Sequence, residues 1–227
     1  MAEKRYAVAV DGPSGAGKST LARAIAARLG ILYVDTGAIY RTIGLAVKER
    51  GLDAHDAAAV GALLPELSIG MDYGDDGEQR MCLGERDVTR EIRLPDISMY
   101  ASAVSALPAV RDYLLEMQRD MARRMSVIMD GRDIGTVVLP DAEVKIFLTA
   151  SSEVRAQRRC LELEQRGTPK PYAEVLRELE ERDYNDSHRA VAPLRPAEDA
   201  VLVDTTTLDF AQSLETLERI IRERVER

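Results

Sequence analysis

Two cysteines in 227 residues leave no basis for a disulfide framework. Cys82 and Cys160 have no partners at metal-ligand spacing, and His55 and His188 are the only histidines, which argues against a His/Cys metal centre. Long apolar runs are also missing, so nothing reads as a membrane span. Met1-Ala2-Glu3-Lys4-Arg5 leads into a strand-like stretch too short for the core of a signal peptide. Basic charge is in deficit: 31 Lys and Arg stand against 39 Asp and Glu, a formal net charge of −8. A protein whose main partner is duplex nucleic acid usually carries the opposite balance or a strong basic stripe. The expectation is a cytoplasmic protein with neither a membrane nor a nucleic-acid partner. No repeat, low-complexity tract or flexible linker interrupts the chain, and its length suits a single α/β unit with insertions.

What is present begins at Gly12-Pro13-Ser14-Gly15-Ala16-Gly17-Lys18-Ser19, followed by Thr20. The segment fits the phosphate-binding P-loop, G-x-x-x-x-G-K-[ST], at every fixed position. Tyr6–Val10 before it reads as a buried strand, and Thr20–Leu29 after it as a helix that stops at Gly30. Glycines let backbone N–H groups turn inward around a polyphosphate. The helix beginning at Lys18 points its positive end at the anion. Lys18 supplies a point charge for the β- and γ-phosphates, and the Ser19 hydroxyl suits Mg²⁺. These residue types imply a bound nucleoside triphosphate.

Strand and helix patterns then alternate, which predicts a parallel sheet covered by helices. Strands are expected at Ile31–Val34, Ser126–Met129, Val144–Leu148 and Ala200–Val203. Helices are expected at Ile39–Glu49, Ala57–Leu64, Ile97–Ser105, Val110–Arg124, Glu153–Gln165, Ala173–Asp186 and Phe210–Glu226, with Pro65, Pro95 and Pro108 as breaks. Between Leu67 and Val88 the texture changes to alternation with turn signals, Asp76-Gly77 among them, and predicts a small antiparallel meander. The fold class is α/β, a three-layer P-loop fold with an inserted meander and a helical lid.

A P-loop alone does not choose among nucleotide switches, ATPases and small-molecule kinases. The single asparagine, Asn185, is followed by Asp186-Ser187, so the Asn-Lys-x-Asp guanine motif of switch GTPases is absent. A small-molecule kinase needs a second anion site and arginines that neutralise the moving phosphoryl group. Thr36 and Arg41 follow the second strand and are candidates for a monophosphate site. Asp130-Gly131-Arg132-Asp133 lies at the carboxyl end of another strand, the edge where open α/β sheets bind ligands. There Asp130 suits the Mg²⁺ shell, Arg132 a phosphate and Asp133 a base amino group. Arg155, Arg158 and Arg159 share one helix face, and Arg182, Asp186 and Arg189 another, flanking a Gly167/Pro169/Pro171 segment that reads as a mobile lid. Arg166 reads as a solvated side chain. At this point an adenylate- or shikimate-type kinase and a non-enzymatic nucleotide switch remain open.

The chain resembles the bacterial cytidylate kinases of the nucleoside monophosphate kinase group. The segments that carry the resemblance are Gly12–Thr20, Asp35–Arg41, Asp87–Arg93, Asp130–Val138 and Arg182–Pro193. The resemblance implies transfer of the ATP γ-phosphoryl group to CMP or dCMP, with Mg²⁺. It puts Gly12 to Thr20 on ATP, Ser19 near the metal, and Asp130 near it through water. Thr36, Arg41 and Arg132 are placed at the CMP phosphate. Ser102, Arg111, Asp133 and Arg189 are placed at cytosine, and Arg182 and Asp186 near the sugar. Lys18, Arg132, Arg155, Arg158 and Arg159 are its catalytic candidates. The implied organisation is one kinase unit over 1–227, with a core of 1–64 and 126–227, a monophosphate-binding insertion at about 65–125 and a lid at about 155–182. No segment signals an oligomer, and a monomer is expected.

Overall fold

The computed structural model describes residues 5–74, 77–94, 96–165 and 167–226. Asp76, Pro95 and Arg166, read above as a turn, a break and a solvated side chain, lie outside the described residues, as do Met1 to Lys4 and Arg227. In chain order come β1 (Ala7–Asp11), α1 (Lys18–Leu29), β2 (Leu32–Asp35), α2 (Thr36–Glu49) and α3 (Ala57–Leu63). Then follow β3 (Ile69–Tyr73), β4 (Gln79–Leu83), β5 (Arg86–Asp87), α4 (Ile97–Ser105) and α5 (Pro108–Arg124). The last elements are β6 (Val127–Gly131), β7 (Val144–Thr149), α6 (Ser152–Gln165), α7 (Tyr172–His188), β8 (Val201–Asp204) and α8 (Phe210–Val225). Among the described residues no helix is long and apolar enough to cross a membrane. The chain divides into two compact units, Met1–Tyr33 with Met125–Arg227, and Val34–Arg124.

The first unit is organised by β1, which is buried along its whole length. Strands buried on both faces are the mark of a parallel sheet covered on both sides. The five-stranded sheet runs in the order β2-β6-β1-β7-β8, with β1 parallel to both β6 and β7. Val8 and Val10 on one face of β1 join Ile128, Ile146 and Leu148 in a core closed by Leu21 and Ile25 of α1 and Leu217 and Ile221 of α8. Alternation turns Ala9 and Asp11 to the opposite face. A single π-helical turn, Ile134–Val138, lies on that face, its first two amides bonded to Asp11. Helices α6 and α7 form a hairpin with a small core of its own, built from Ala156, Leu163, Val175 and Leu179.

The second unit contains the meander, β3-β4-β5, antiparallel as the alternation predicted. Its first hairpin closes through Gly77 N–H to Gly74 O at 2.8 Å. Asp35 caps α2 by accepting from Ala38 N–H, and Asp56 caps α3 the same way from Ala58 and Ala59. Pro65 and Pro108 both mark helix breaks as expected. Pro65 sits in the 3₁₀ turn Leu64–Glu66 that follows the end of α3 at Leu63. Pro108 falls between α4 and α5 and opens α5, two residues before the expected start, since the first helical position needs no amide hydrogen.

Helices α2 and α4 approach closely at Gly44. A Cβ there would lie 2.9 Å from Ala101 N and 3.2 Å from Tyr100 C, both backbone atoms. Alanine inside a helix is normally about 1 kcal/mol better than glycine, but overpacking a tight contact costs about 1–3 kcal/mol. Gly44→Ala is therefore expected to lower the melting temperature in a thermal denaturation scan. A raised melting temperature would show that the two helices part without cost.

Candidate functional site

The P-loop leaves β1 at Gly12, whose φ is +150° and where a Cβ would fall 1.9 Å from the carbonyl oxygen of Leu148. No side chain fits there, so the loop runs directly against the backbone of β7. Gly17 closes the loop as the N-cap of α1 with φ 91°. Lys18 is the first residue of that helix and is only 6% exposed. Its ammonium donates to Pro13 O at 2.7 Å, across the loop it is expected to serve. Burial lowers its pKa well below the ordinary lysine range, and repulsion from Arg132 adds to the effect. Ala16 is buried and Thr20 is exposed.

Asp130, the last residue but one of β6, is the register partner of Val10 and is 5% exposed. Ser19 Oγ donates to its Oδ2 at 2.8 Å, and Tyr33 OH to its Oδ1 at 2.9 Å. A serine hydroxyl and a carboxylate held together form an oxygen donor set suited to Mg²⁺, which keeps several waters and takes substrate phosphates as further ligands. Among the described residues there is no cluster of three or more His, Cys, Asp or Glu side chains that would form an all-protein metal cage.

Beyond Asp130 the site is a mesh of ion pairs. Arg132 Nε donates to Asp186 Oδ2 at 2.8 Å, and Arg182 Nε lies 4.0 Å from the same oxygen. Burial by itself would raise the pKa of Asp186, but Arg132 and Arg182 hold it below the usual carboxylate range. Arg189 is not on α7, which ends at His188. It turns back instead, with Nη2 at 3.4 Å from Asp133 Oδ1 and Nε donating to Ala192 O at 2.5 Å.

The arginines of α6 diverge. Arg155 is buried, donates to Ala150 O and to Ser14 O of the P-loop, and pairs with Asp183 at 2.6 Å. Arg158 reaches Thr205, with Nη2 at 2.8 Å from its carbonyl. Arg159 pairs with Glu162 one turn along. Their spacing places them near one face, but each guanidinium has a different partner.

In the second unit, Thr36 opens α2 and is 2% exposed. Asp35 before it is 3% exposed and accepts from Arg93 Nη2 at 2.8 Å. Burial pushes the Asp35 carboxyl up, and the opposing charges of Arg93 and Arg41 bring it below its ordinary value. Gln79 of β4 brackets the Asp35 backbone, accepting from its N–H at 2.8 Å and donating to its C=O at 3.2 Å. Arg111 of α5 is buried, with its guanidinium carbon 6.0 Å from the Tyr40 ring centre. Its Nη1 donates to Ser105 O, and Ser105 Oγ donates to Ser102 O on α4.

Sequence reasoning missed Asp11, Tyr33, Asp35, Arg93 and Asp183 as members of these networks. Asp11 had a readable signal: a charged residue at the end of the apolar run Ala7-Val8-Ala9-Val10. The others meet their partners only through the fold.

Comparison with known proteins gives a consistent family. A family model described as cytidylate kinase matches residues 8–223. A cytidylate kinase of Caldicellulosiruptor bescii is 48% identical over 93% of this chain and 93% of its own. One of Carboxydothermus hydrogenoformans is 50% identical over 94% of this chain and 96% of its own. Among solved structures, an uncharacterized protein from Eubacterium ventriosum ATCC 27560 has 12% identity and a TM-score of 0.50 over 98% of this chain and 99% of that one, a likeness of fold alone.

The depressed pKa of Asp35 gives a stability test. Such a group contributes its full stabilisation above the unfolded value, and that stabilisation is lost as pH falls through the folded value. Asp35→Asn is expected to lower the unfolding free energy at pH 7 by about 2 kcal/mol. The gap between wild type and variant should shrink as the pH drops below about 4. Urea unfolding of both proteins across that range measures it, and a gap independent of pH would detach the carboxylate charge from its role.

Proposed function

The chain belongs to the cytidylate kinase family, and on that basis we propose that it transfers the γ-phosphoryl group of ATP to CMP or dCMP, yielding ADP and the nucleoside diphosphate. The observation that carries this reading is the family match across residues 8–223, which takes in every segment placed at the site.

The chemistry agrees with the residues present. The nucleophile is an oxygen of the CMP phosphate, already ionised near neutral pH. It bonds to the γ-phosphorus as the bond to the β–γ bridging oxygen breaks, and the electron pair leaves on ADP. No general base is required, and none need be sought at His55 or His188. The barrier is one of positioning and charge neutralisation. The proposed roles put Lys18 and the loop amides on ATP, and Thr36, Arg41 and Arg132 on the CMP phosphate. Arg155, Arg158 and Arg159 act on the transferring group from a lid of about 155–182. Ser19 would hold Mg²⁺, with Asp130 acting through water. When bound, the ion screens the phosphate charges. Ser102, Arg111, Asp133 and Arg189 face cytosine, and Arg182 and Asp186 the sugar. The proposed organisation keeps a monophosphate-binding region at about 65–125, and the working unit is a monomer.

Cytosine presents an amino donor where uracil presents a carbonyl. A carboxylate at that point accepts from one and repels the other, and sites built on such a bond discriminate strongly.

A coupled ADP-release assay across CMP, dCMP, UMP, AMP, GMP and shikimate tests the assignment, with CMP and dCMP expected to dominate. Fast turnover of AMP or shikimate instead would move the chain to another small-molecule kinase activity. Lys18→Ala should keep its circular dichroism spectrum and lose phosphoryl transfer by about a hundredfold or more. Asp133→Ala should lower kcat/KM for CMP at least about a hundredfold and leave ATP affinity in place. Unaltered CMP kinetics would remove Asp133 from the site.

A further inference from the structure

Asp133 stands at a position where an aspartate ordinarily caps its own helix. It directly precedes the π-helical turn Ile134–Val138, yet makes no side-chain capping bond to it. Its backbone, φ −149° and ψ 27°, lies outside the extended region that a capping residue adopts. The first amides of any helical turn still need partners. Here they find them on another strand. Ile134 N–H donates to Asp11 Oδ1 at 2.7 Å, and Gly135 N–H to Asp11 Oδ2 at 2.7 Å. The cap is supplied from 123 residues away, and the Asp133 carboxylate turns to Arg189 instead, at 3.4 Å.

We propose that Asp11 is a positioning residue for base selection: by capping the 134–138 turn in place of Asp133, it keeps the Asp133 carboxylate directed at the nucleotide base. The inference rests on the reading of Asp133 as the cytosine acceptor given above.

Three further observations fit it. Asp11 is only 4% exposed and faces no cation at bonding distance in the bonds described, so its two backbone bonds are its main compensation. A buried carboxylate without a close cation is costly to keep, and burial raises its pKa to about 6 in spite of those bonds. Gly135 places the turn directly against Asp11: a Cβ there would sit in ordinary contact with Asp11 Oδ2, at 3.4 Å, and 3.2 Å from the flexible Lys145 stem. Finally, the Asp11 carboxylate reaches the turn while only its backbone leads on into Gly12, so a change confined to the carboxylate bears on the turn and not on the P-loop.

In Asp11→Asn the side chain keeps its size but offers one acceptor oxygen for two amides. One turn amide loses its partner, and Asp133 is drawn into the capping role its position favours. The measurement is the ratio of kcat/KM for CMP to that for UMP, taken with the ATP dissociation constant and the melting temperature. The expected result is a ratio reduced about tenfold or more, with ATP affinity within about twofold of wild type. Asp133→Ala should reduce the ratio as well, and the double variant should fall no further than Asp133→Ala alone, because both changes act through one group. An Asp11→Asn protein that melts earlier but keeps the wild-type ratio, while Asp133→Ala loses it, would overturn the inference and leave the base reading intact. Should Asp133→Ala itself keep the ratio, the base reading fails and takes the inference with it. If Asp11→Asn does not fold, Asp11→Ser also leaves one acceptor oxygen for two amides, with less bulk, and probes the same turn. A reduced ratio in that variant supports the proposal, and an unchanged one overturns it.

Discussion

Carboxylates set among the gathered cations hold this candidate site together. A protein that binds phosphates must gather cations before the phosphates arrive, and the cations repel each other. At 4 Å, with an effective dielectric near 20, one such repulsion amounts to about 4 kcal/mol. Arg132 and Arg182 both repel Lys18 in this way, adding to the burial that does most to lower its pKa. The offset comes from Asp186, shared by Arg132 and Arg182, from Asp133 opposite Arg189, and from Asp183 opposite Arg155. Each carboxylate stands roughly where a fold without bound nucleotide needs negative charge. Any anion drawn to such a mesh would have to replace a carboxylate already there, so part of its interaction would be spent on exchange.

The sheet makes this arrangement possible. β1 and β6 are parallel neighbours, with Val10 opposite Asp130 and Asp11 opposite Gly131. Both strands therefore end at one level, and each gives way directly to a candidate-site segment: Gly12 to Lys18 from β1, Arg132 and Asp133 from β6. The Ser19–Asp130 hydrogen bond joins the two segments across that edge. Antiparallel strands would have put the two ends on opposite edges. The helix that follows the P-loop has its N-terminus at the same edge, and its dipole adds to the field there.

Much of this was readable in the chain because it is local. The P-loop spacing and the alternation between Leu67 and Val88 are both statements about neighbouring residues. The boundaries of β7 and α6 came within a residue of expectation for the same reason. What the sequence concealed is non-local. Arg132 and Asp186 are 54 residues apart, and Tyr33 and Asp130 are 97 apart. No periodicity announces such pairs, so their partners emerge only when the strands and helices have been placed. The arginines of α6 show the limit of helical spacing as an argument. Residues three and four apart share a face, yet their long side chains leave it in different directions.

That divergence separates the three by the cost of redirecting them. Arg155 is 7% exposed at its side chain, paired with Asp183, and bonded to two carbonyls. Breaking a buried pair on one side costs about 3–5 kcal/mol, so Arg155 at rest braces Ser14, and reaching a phosphoryl oxygen from there means offsetting that cost. Arg158 holds Thr205 through its carbonyl and hydroxyl, bonds that water or a ligand oxygen replaces at moderate cost. Arg159 is tied only to Glu162 in the bonds described, with side chains 33% and 42% exposed. An exposed pair of that kind contributes about 0.2–1 kcal/mol. A transition-state arginine has to exchange its resting partner for a phosphoryl oxygen during each turnover. The less stable that resting bond, the larger the share of the new interaction that lowers the barrier, and by this criterion Arg159 is the best suited of the three to move.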